Sequence, residues 1–393
     1  MNNKKIMAKK RIYLDYGATT PVDPRVIKAM IPFFNEKFGN TMSLHGFGQE
    51  AKLVLEKSRE QVADLIKARA NEIIFTSSAT ESNNLVLKGI AFSNRKKGNH
   101  IIISPIEHPC IMETAKWLEK NGFEISRLSI DKYGLVDPKE VKKLIKKETI
   151  LVSVMHANNE IGTIEPIKEI GAICKKQGVY FHTDATQTFG KIPIDVNEIN
   201  ADLLSASSHK FYGPKGVGCL FIREGVKITP LLHGGGHESG LRSATVNVAG
   251  IVGFAKAVEL AKKEMKKESK QLAELRDKLI KGISGNIKDI QLNGHPEKRL
   301  PNNVNFSFSF VEGESLVIQL DLLGIAVSTG SACSSDKLLP SHVLSAIKLK
   351  PYQIHGSLRF TLGRWTKEAD IDYVLKVLPN VVEKLREISP YKK

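Results

Sequence analysis

The sequence predicts an α/β protein: a large domain on a mostly parallel sheet covered by helices, followed by a smaller α+β domain. Three observations carry this. Short apolar runs alternate with amphipathic helical stretches over the first 220 or so residues, the pattern of βα units. Past about residue 245 the texture changes to one long helical stretch and then mixed strands and helices. With 41% hydrophobic and 25% charged residues in 393, the chain has enough apolar side chains for a large core.

The elements follow in order. Strands are expected at 72–75, 100–103, 150–155, 179–183, 202–206 and 217–222, and helices at about 50–67, 80–96, 110–121, 138–147 and 166–177. Asp137-Pro138 is a good helix start, with a capping residue before a proline whose missing N–H costs nothing there. In the second part, a helix over 246–283 connects the domains. It leads to strand-like 303–308, helical 313–323, short runs at 324–328 and 357–361, and a last helix over 367–388. The large domain is expected over 20–262, and the small domain over 1–19 and 263–393.

Composition narrows the function classes. There is no apolar run of 18 or more residues, so no membrane-spanning helix is expected. Met1 to Lys10 is basic without an apolar core segment, which argues against a secretory signal, and Met7 is a second conceivable start. Four cysteines, Cys110, Cys174, Cys219 and Cys333, include no CxxC pair, which argues against a disulfide framework or structural zinc and for the cytoplasm. Cys110, Cys174 and Cys219 read as small buried hydrophobes. The net charge of +16 raises nucleic-acid binding. The lysines are scattered over helices, however, and Lys262, Lys263, Lys266 and Lys267 alternate with Glu259, Glu264 and Glu268, as on a solvated face. No stable nucleic-acid binding is expected.

Ligands of open α/β sheets sit beyond the carboxyl ends of the strands. Strand 179–183 ends in Asp184, and strand 202–206 runs into Ser207-Ser208-His209-Lys210 before a Gly/Pro turn. Alone, Asp184 reads equally as a helix cap, and Lys210 as a solvated loop lysine. Together they form the pair that pyridoxal 5′-phosphate (PLP) requires: an amine for the Schiff base and an acid that keeps the pyridine nitrogen protonated. Thr76-Ser77-Ser78-Ala79-Thr80 joins a strand to a helix, and small hydroxylated residues at a helix N-terminus suit a phosphate. An ordinary N-cap with Glu81 in the first turn fits the same residues. Cys333 lies in Ser-Thr-Gly-Ser-Ala-Cys-Ser-Ser-Asp-Lys, small and polar, the setting of an accessible, reactive thiol.

The motifs taken together resemble the NifS/IscS type of cysteine desulfurase, a group within the class V aminotransferase superfamily. They are Leu14-Asp15-Tyr16-Gly17-Ala18-Thr19-Thr20-Pro21, Thr80-Glu81-Ser82-Asn83, Glu107-His108, His156-Ala157-Asn158-Asn159-Glu160-Ile161-Gly162, Asp184-Ala185-Thr186-Gln187, Ser208-His209-Lys210, His233-Gly234-Gly235-Gly236-His237-Glu238, Ser328-Thr329-Gly330-Ser331-Ala332-Cys333-Ser334-Ser335 and Arg359-Phe360-Thr361-Leu362-Gly363-Arg364. Their order and spacing run nearly end to end. The resemblance implies the type I fold of PLP-dependent transferases, with a seven-stranded sheet in the large domain. It implies Lys210 as the cofactor lysine, Asp184 on the pyridine nitrogen, and His108 stacked on the ring and moving protons. Gln187 and Asn159 would contact the ring oxygen side and the substrate. Ala79, Thr80, Ser207 and His209 would hold the phosphate, together with Thr245 from the other subunit of a homodimer. Arg359 would clamp the carboxylate of L-cysteine, although by sequence alone it also reads as a surface strand arginine.

Cys333 would accept sulfur as a persulfide, leaving L-alanine, in a loop at about 328–340 that resembles the long-loop desulfurases. The sulfur would go to an iron–sulfur scaffold protein or a tRNA-thiolation acceptor, and Cys333 is a candidate ligand to a cluster shared with the scaffold. The alternatives are a selenocysteine lyase, another class V PLP lyase or aminotransferase, and a sulfur-relay or scaffold component. Two departures stand out. Ser78 occupies a position where the family commonly has Gly, and Asn40-Thr41-Met42-Ser43 stands where Asn-Pro-small-Ser is usual.

Overall fold

The computed structural model describes residues 11–329 and 340–390. Its strands, in chain order, are β1 (Ile12–Tyr13), β2 (Ile73–Thr76), β3 (His100–Ile103), β4 (Glu124–Arg127), β5 (Thr149–Ser153), β6 (Tyr180–Asp184), β7 (Leu203–Ser207), β8 (Gly218–Ile222), β9 (Ile290–Leu292), β10 (Asn303–Phe308), β11 (Ile325–Ala326) and β12 (Ser357–Thr361). Two compact units emerge. The larger takes residues 19–159 and 163–269. The smaller takes the described chain up to Ala18, residues 160–162 and the chain from Lys270. The expected borders were 19/20 and 262/263. The second division falls inside Val248–Asn286, an unbroken helix of 39 residues whose middle carries no Gly or Pro to mark a boundary.

The larger unit holds a seven-stranded sheet in the order β2-β8-β7-β6-β5-β3-β4, as the resemblance implied. The pairs among β7, β6, β5, β3 and β4 are parallel, and β8 runs antiparallel to both of its neighbours. Strand residues alternate between two cores. Ile102, Val152, Phe181 and Leu204 join one cluster, while Ile101, Ile103, Leu151 and Leu203 join the other. A parallel sheet covered on both faces accounts for the near-continuous apolar runs. Helix Ala79–Ser93 and helix Pro109–Lys120 pack on the second face through Leu85, Val86, Ile90, Ile111 and Ala115. Strand β4 was not expected. Its Glu-Ile-Ser-Arg is an edge strand with both ends exposed, so it lacks the apolar run by which the others were read.

In the smaller unit, β12-β10-β9 form an antiparallel sheet and β1 pairs with β11 in parallel. Helix Glu368–Ile388 covers the core through Ile371, Val374, Leu378 and Val382. No helix among the described residues is long and apolar enough to cross a membrane.

Candidate active site

Parallel pairing sets His182, Thr183 and Asp184 of β6 against Leu203, Leu204 and Ser205 of β7, so the two strands end side by side. Asp184 closes β6 and Ser207 closes β7, followed by a short 3₁₀ turn, Ser208–Lys210. This is where the sequence placed the acid and the amine.

Asp184 is buried, at 5% exposure. A buried carboxylate needs hydrogen bonds to offset its lost hydration. Asn83 donates to Oδ2 at 2.7 Å, and the backbone N–H of Thr186 donates to Oδ1 at 2.9 Å. The backbone carbonyl of Asp184 accepts from the N–H of His156 at 2.9 Å, which ties the loop carrying Asn158 and Asn159 to the strand end. His182, one inward step below Asp184, lies between Ser153 (2.8 Å from Nδ1) and Ser205 (3.1 Å from Nε2). Burial depresses its pKa to about 4 against the opposing field of Asp184. Burial likewise holds the His156 imidazole down at about 4. Glu107 is pushed well above the carboxylate range, by burial first and then by the charges of Asp184 and Glu165.

Beyond β7, the chain is held in a demanding turn. Tyr212 has φ 70°, the left-handed region that non-glycine residues avoid. It is pinned by Thr20, whose hydroxyl accepts from the Tyr212 N–H at 2.8 Å, and by its own hydroxyl, which donates to Glu268 at 2.6 Å. Strain of this kind persists only where surroundings over-determine it, and here it sits two residues past Lys210. The carbonyl of His209 accepts from the Thr20 hydroxyl at 3.0 Å, and its Nδ1 lies 3.1 Å from the Thr19 hydroxyl. Burial, then the charges of Lys210, Lys215 and Lys191, depress the His209 pKa to about 4.

The turn before helix Ala79–Ser93 answers the question left by Ser78. Its side chain is the N-cap, accepting from the Glu81 N–H at 3.2 Å. Glu81 bonds the Ser77 N–H and pairs with Arg242 at 2.8 Å. The ordinary cap is therefore formed, and the N-terminus with Ala79 and exposed Thr80 remains one turn from Asn83. Gly218 of β8 lies beneath this turn, and a Cβ there would come within 2.7 Å of the Ser78 carbonyl carbon.

His108 caps helix Pro109–Lys120, its Nδ1 accepting from the Cys110 N–H at 3.2 Å. Cys110 is not the buried hydrophobe expected of it. It is half-buried, with Sγ 3.1 Å from His108 Nδ1 and accepting from Asn83 Nδ2 at 3.2 Å. Burial and the charge of Asp184 push its thiol up to about 12. Cys174 and Cys219 are fully buried, as expected. Gln187 is buried and accepts from Lys191 at 3.3 Å. Thr245 is exposed.

Arg359 belongs to the smaller unit. It is not a surface arginine: it is 3% exposed on β12 and pairs with Asp15 at 2.9 Å. Its backbone bridges Ser328 through bonds of 2.7 and 3.2 Å. Glu160 of the same unit accepts from the Ser341 hydroxyl at 2.6 Å. Cys333 lies outside the described residues.

The buried acid and the lysine at adjacent strand ends, with a helix N-terminus nearby, fit PLP. Two buried polar atoms near Asp184 point the same way: Thr186 Oγ1 and His156 Nδ1 have no hydrogen-bond partner among the described residues. A polar ligand would satisfy them.

Comparison with known proteins settles the family. The aminotransferase class-V family model matches residues 12–374. The chain belongs to this family. Its cofactor is PLP. A protein named cysteine desulfurase IscS from Dictyoglomus turgidum is 56% identical over 384 residues, covering 98% of both chains. One of the same name from Methanosarcina thermophila is 53% identical, covering 97% of this chain and 94% of its own. A solved structure described as a NifS-like protein superposes with a TM-score of 0.90 at 42% identity, over 96% of this chain and all of its own. Another, described as SspA in complex with cysteine, gives 0.81 at 35% identity, over 91% of this chain and all of its own.

Three features of the site were not singled out from sequence: the Asn83 amide on Asp184, the Cys110 thiol, and the Glu81–Arg242 pair. Asn83 and Glu81 stand in a quoted motif, and Cys110 is two residues from His108. Those neighbourhoods were the available signal.

Proposed function

We propose that this chain is a cysteine desulfurase that converts L-cysteine to L-alanine and carries the sulfur away on Cys333. The observation that bears the proposal is the buried Asp184 carboxylate at the end of β6, with Lys210 in the turn that follows the neighbouring parallel strand β7. Relatives of the same chain length that carry the name cysteine desulfurase IscS support the substrate, as does a similar structure described as containing cysteine.

PLP, when bound, supplies an electron sink for the substrate's Cα. The rest is work for the chain's own residues. Asp184, oriented by Asn83 and the Thr186 N–H, would pair with the pyridine nitrogen and keep it protonated. Lys210 would anchor the cofactor, and its amine would accept and return the substrate's Cα proton, with His108 as stacking partner and acid–base aid. Ala79, Thr80, Ser207 and His209 would receive the phosphate, and Thr245 would reach the site of a second copy. Asn159 and Gln187 would contact the ring oxygen side and the substrate. Arg359 takes the substrate carboxylate with its planar fork. The Cys333 thiolate attacks the substrate sulfur. An S–S bond forms as the C–S bond breaks, and the carbon skeleton leaves as alanine with a proton in place of sulfur.

A homodimer is supported by exposed apolar side chains in one region of the larger unit. Phe34, Phe38, Leu44, Phe47 and Leu53 are 56–94% exposed, and Phe38 stacks on Phe47 at 5.6 Å. Apolar surface of this kind marks an interaction site. The three described cysteines are all free thiols, which supports the cytoplasm. We assign delivery of the sulfur to an iron–sulfur scaffold protein or another acceptor, with Cys333 as a ligand to the cluster shared there.

The test is Cys333→Ser. It should keep the yellow absorbance of the cofactor-bound lysine and release no sulfide with dithiothreitol. Normal sulfide output would overturn the role of Cys333. Absence of absorbance from wild-type protein supplied with PLP would overturn the enzyme reading itself.

A further inference from the structure

Asn83 is fully buried, and its amide serves two acceptors: Asp184 Oδ2 at 2.7 Å and Cys110 Sγ at 3.2 Å. Its own Oδ1 has no hydrogen-bond partner among the described residues. Flipping the amide would set that oxygen against the carboxylate, so the orientation is dictated by Asp184. Both N–H groups are then committed, and the Cys110 sulfur acts as an acceptor toward Asn83. Its S–H is left to donate elsewhere. His108 Nδ1 lies 3.1 Å from Sγ and already accepts the Cys110 N–H at 3.2 Å. Thr80 is a second neighbour of the same thiol.

We propose that Asn83 and Cys110 are positioning residues which link Asp184 to His108 in one directed hydrogen-bond chain and hold His108 as the Nε2–H tautomer. The inference rests on the reading of His108 and Asp184 as acid–base and cofactor-nitrogen groups, and deepens it. Each bond sets the next. The carboxylate orients the amide, the amide makes the sulfur an acceptor, and the thiol proton and the Cys110 N–H both aim at Nδ1. The exchangeable ring proton is thereby placed on Nε2. The high thiol pKa keeps the proton on sulfur that this chain requires.

The experiment uses full-length protein and four variants. Nitrogen-15 shifts of the His108 ring, assigned by comparison with His108→Gln, report the tautomer in apo-protein, and PLP titration reports affinity. Wild type should show Nε2–H alone. Cys110→Ser keeps a donor and should match it. Cys110→Val keeps the volume without a donor. It should give a mixture of tautomers and a roughly 3- to 10-fold lower kcat, the effect of one lost hydrogen bond, with PLP affinity unchanged. Asn83→Leu should weaken PLP binding about 10- to 100-fold, as loss of a supporting hydrogen bond to a ligating group does. A Cys110→Val variant with wild-type tautomer and kcat overturns the proposal, even if Asn83→Leu fails to fold. Wild-type protein that takes up no PLP would instead overturn the underlying reading.

Discussion

Two buried carboxyls, one in each unit, meet different neighbours. Asp184 in the larger unit accepts two N–H donors, from Asn83 and Thr186. Glu160 in the smaller unit is also buried, accepts the Ser341 hydroxyl and feels the charge of Arg359, yet burial still lifts its pKa to about 7. Its own backbone carbonyl is spoken for by Asn303 and Asn305, at 3.2 and 3.1 Å. The same burial therefore serves two ends. One carboxyl is committed to two N–H donors, the other keeps its own proton toward neutral pH.

The largest effect is expected from neutralising Asp184. Asp184→Asn should lower desulfuration by about 10²- to 10⁴-fold, the range of an acid–base contribution, and shift the visible absorbance of bound PLP. Retained activity would remove Asp184 from the site. Next is the buried pair Arg59–Glu238, at 2.7 Å with side-chain exposures of 9% and 3%. Glu238 also accepts the Phe75 N–H at 2.8 Å. Glu238→Leu leaves the buried guanidinium with only the half-exposed Glu56, at 3.1 Å, and the Ile73 carbonyl, and should cost up to about 3–5 kcal/mol in urea unfolding.

Glu160→Gln sharpens the contrast through pH. A carboxyl whose folded pKa is raised keeps its proton in the fold while the unfolded chain loses it. Its favourable contribution is fully present below pH 4.5 and lost as pH rises to about 7. Wild type should thus lose roughly 3 kcal/mol more stability than the Gln variant across that window, to order of magnitude. Parallel pH curves would refute the shift. The smallest effect is expected from Ser78→Gly. It removes the cap bond to the Glu81 N–H, and because Gly is itself a tolerated cap it should cost only a few tenths of a kcal/mol. A larger drop in melting temperature would mean that Ser78 does more than cap.

Much of the larger unit could be read from the chain, because strands buried on both faces, such as Ile101-Ile102-Ile103, are apolar without interruption. Strand β4 could not, being an exposed edge, and neither could helix Pro24–Met30, whose seven residues bury only Val26. Asp184 and Lys210 were legible because strand ends in an α/β sheet are where chemistry gathers. Asn83 and Cys110 were not, because their roles depend on two helices meeting over the end of β6. Arg359 was expected as the carboxylate clamp by resemblance, with a surface strand arginine as the alternative from sequence alone, and its burial on β12 with Asp15 beside it removes that alternative. Cys333, the residue most dependent on context, rests on its polar sequence neighbours and on the resemblance.

The crowding around Gly218 limits redesign. Any side chain there would drive into the carbonyl carbon of Ser78 and the carbonyl oxygen of Ala206, at 2.7 and 2.8 Å. Gly213, in the turn after Lys210, is as tightly closed by the Ser208 hydroxyl. An engineer seeking a new amino-acid substrate should therefore leave both glycines out of a mutagenesis library and place diversity at exposed Met42, where the chain already departs from the family's usual sequence.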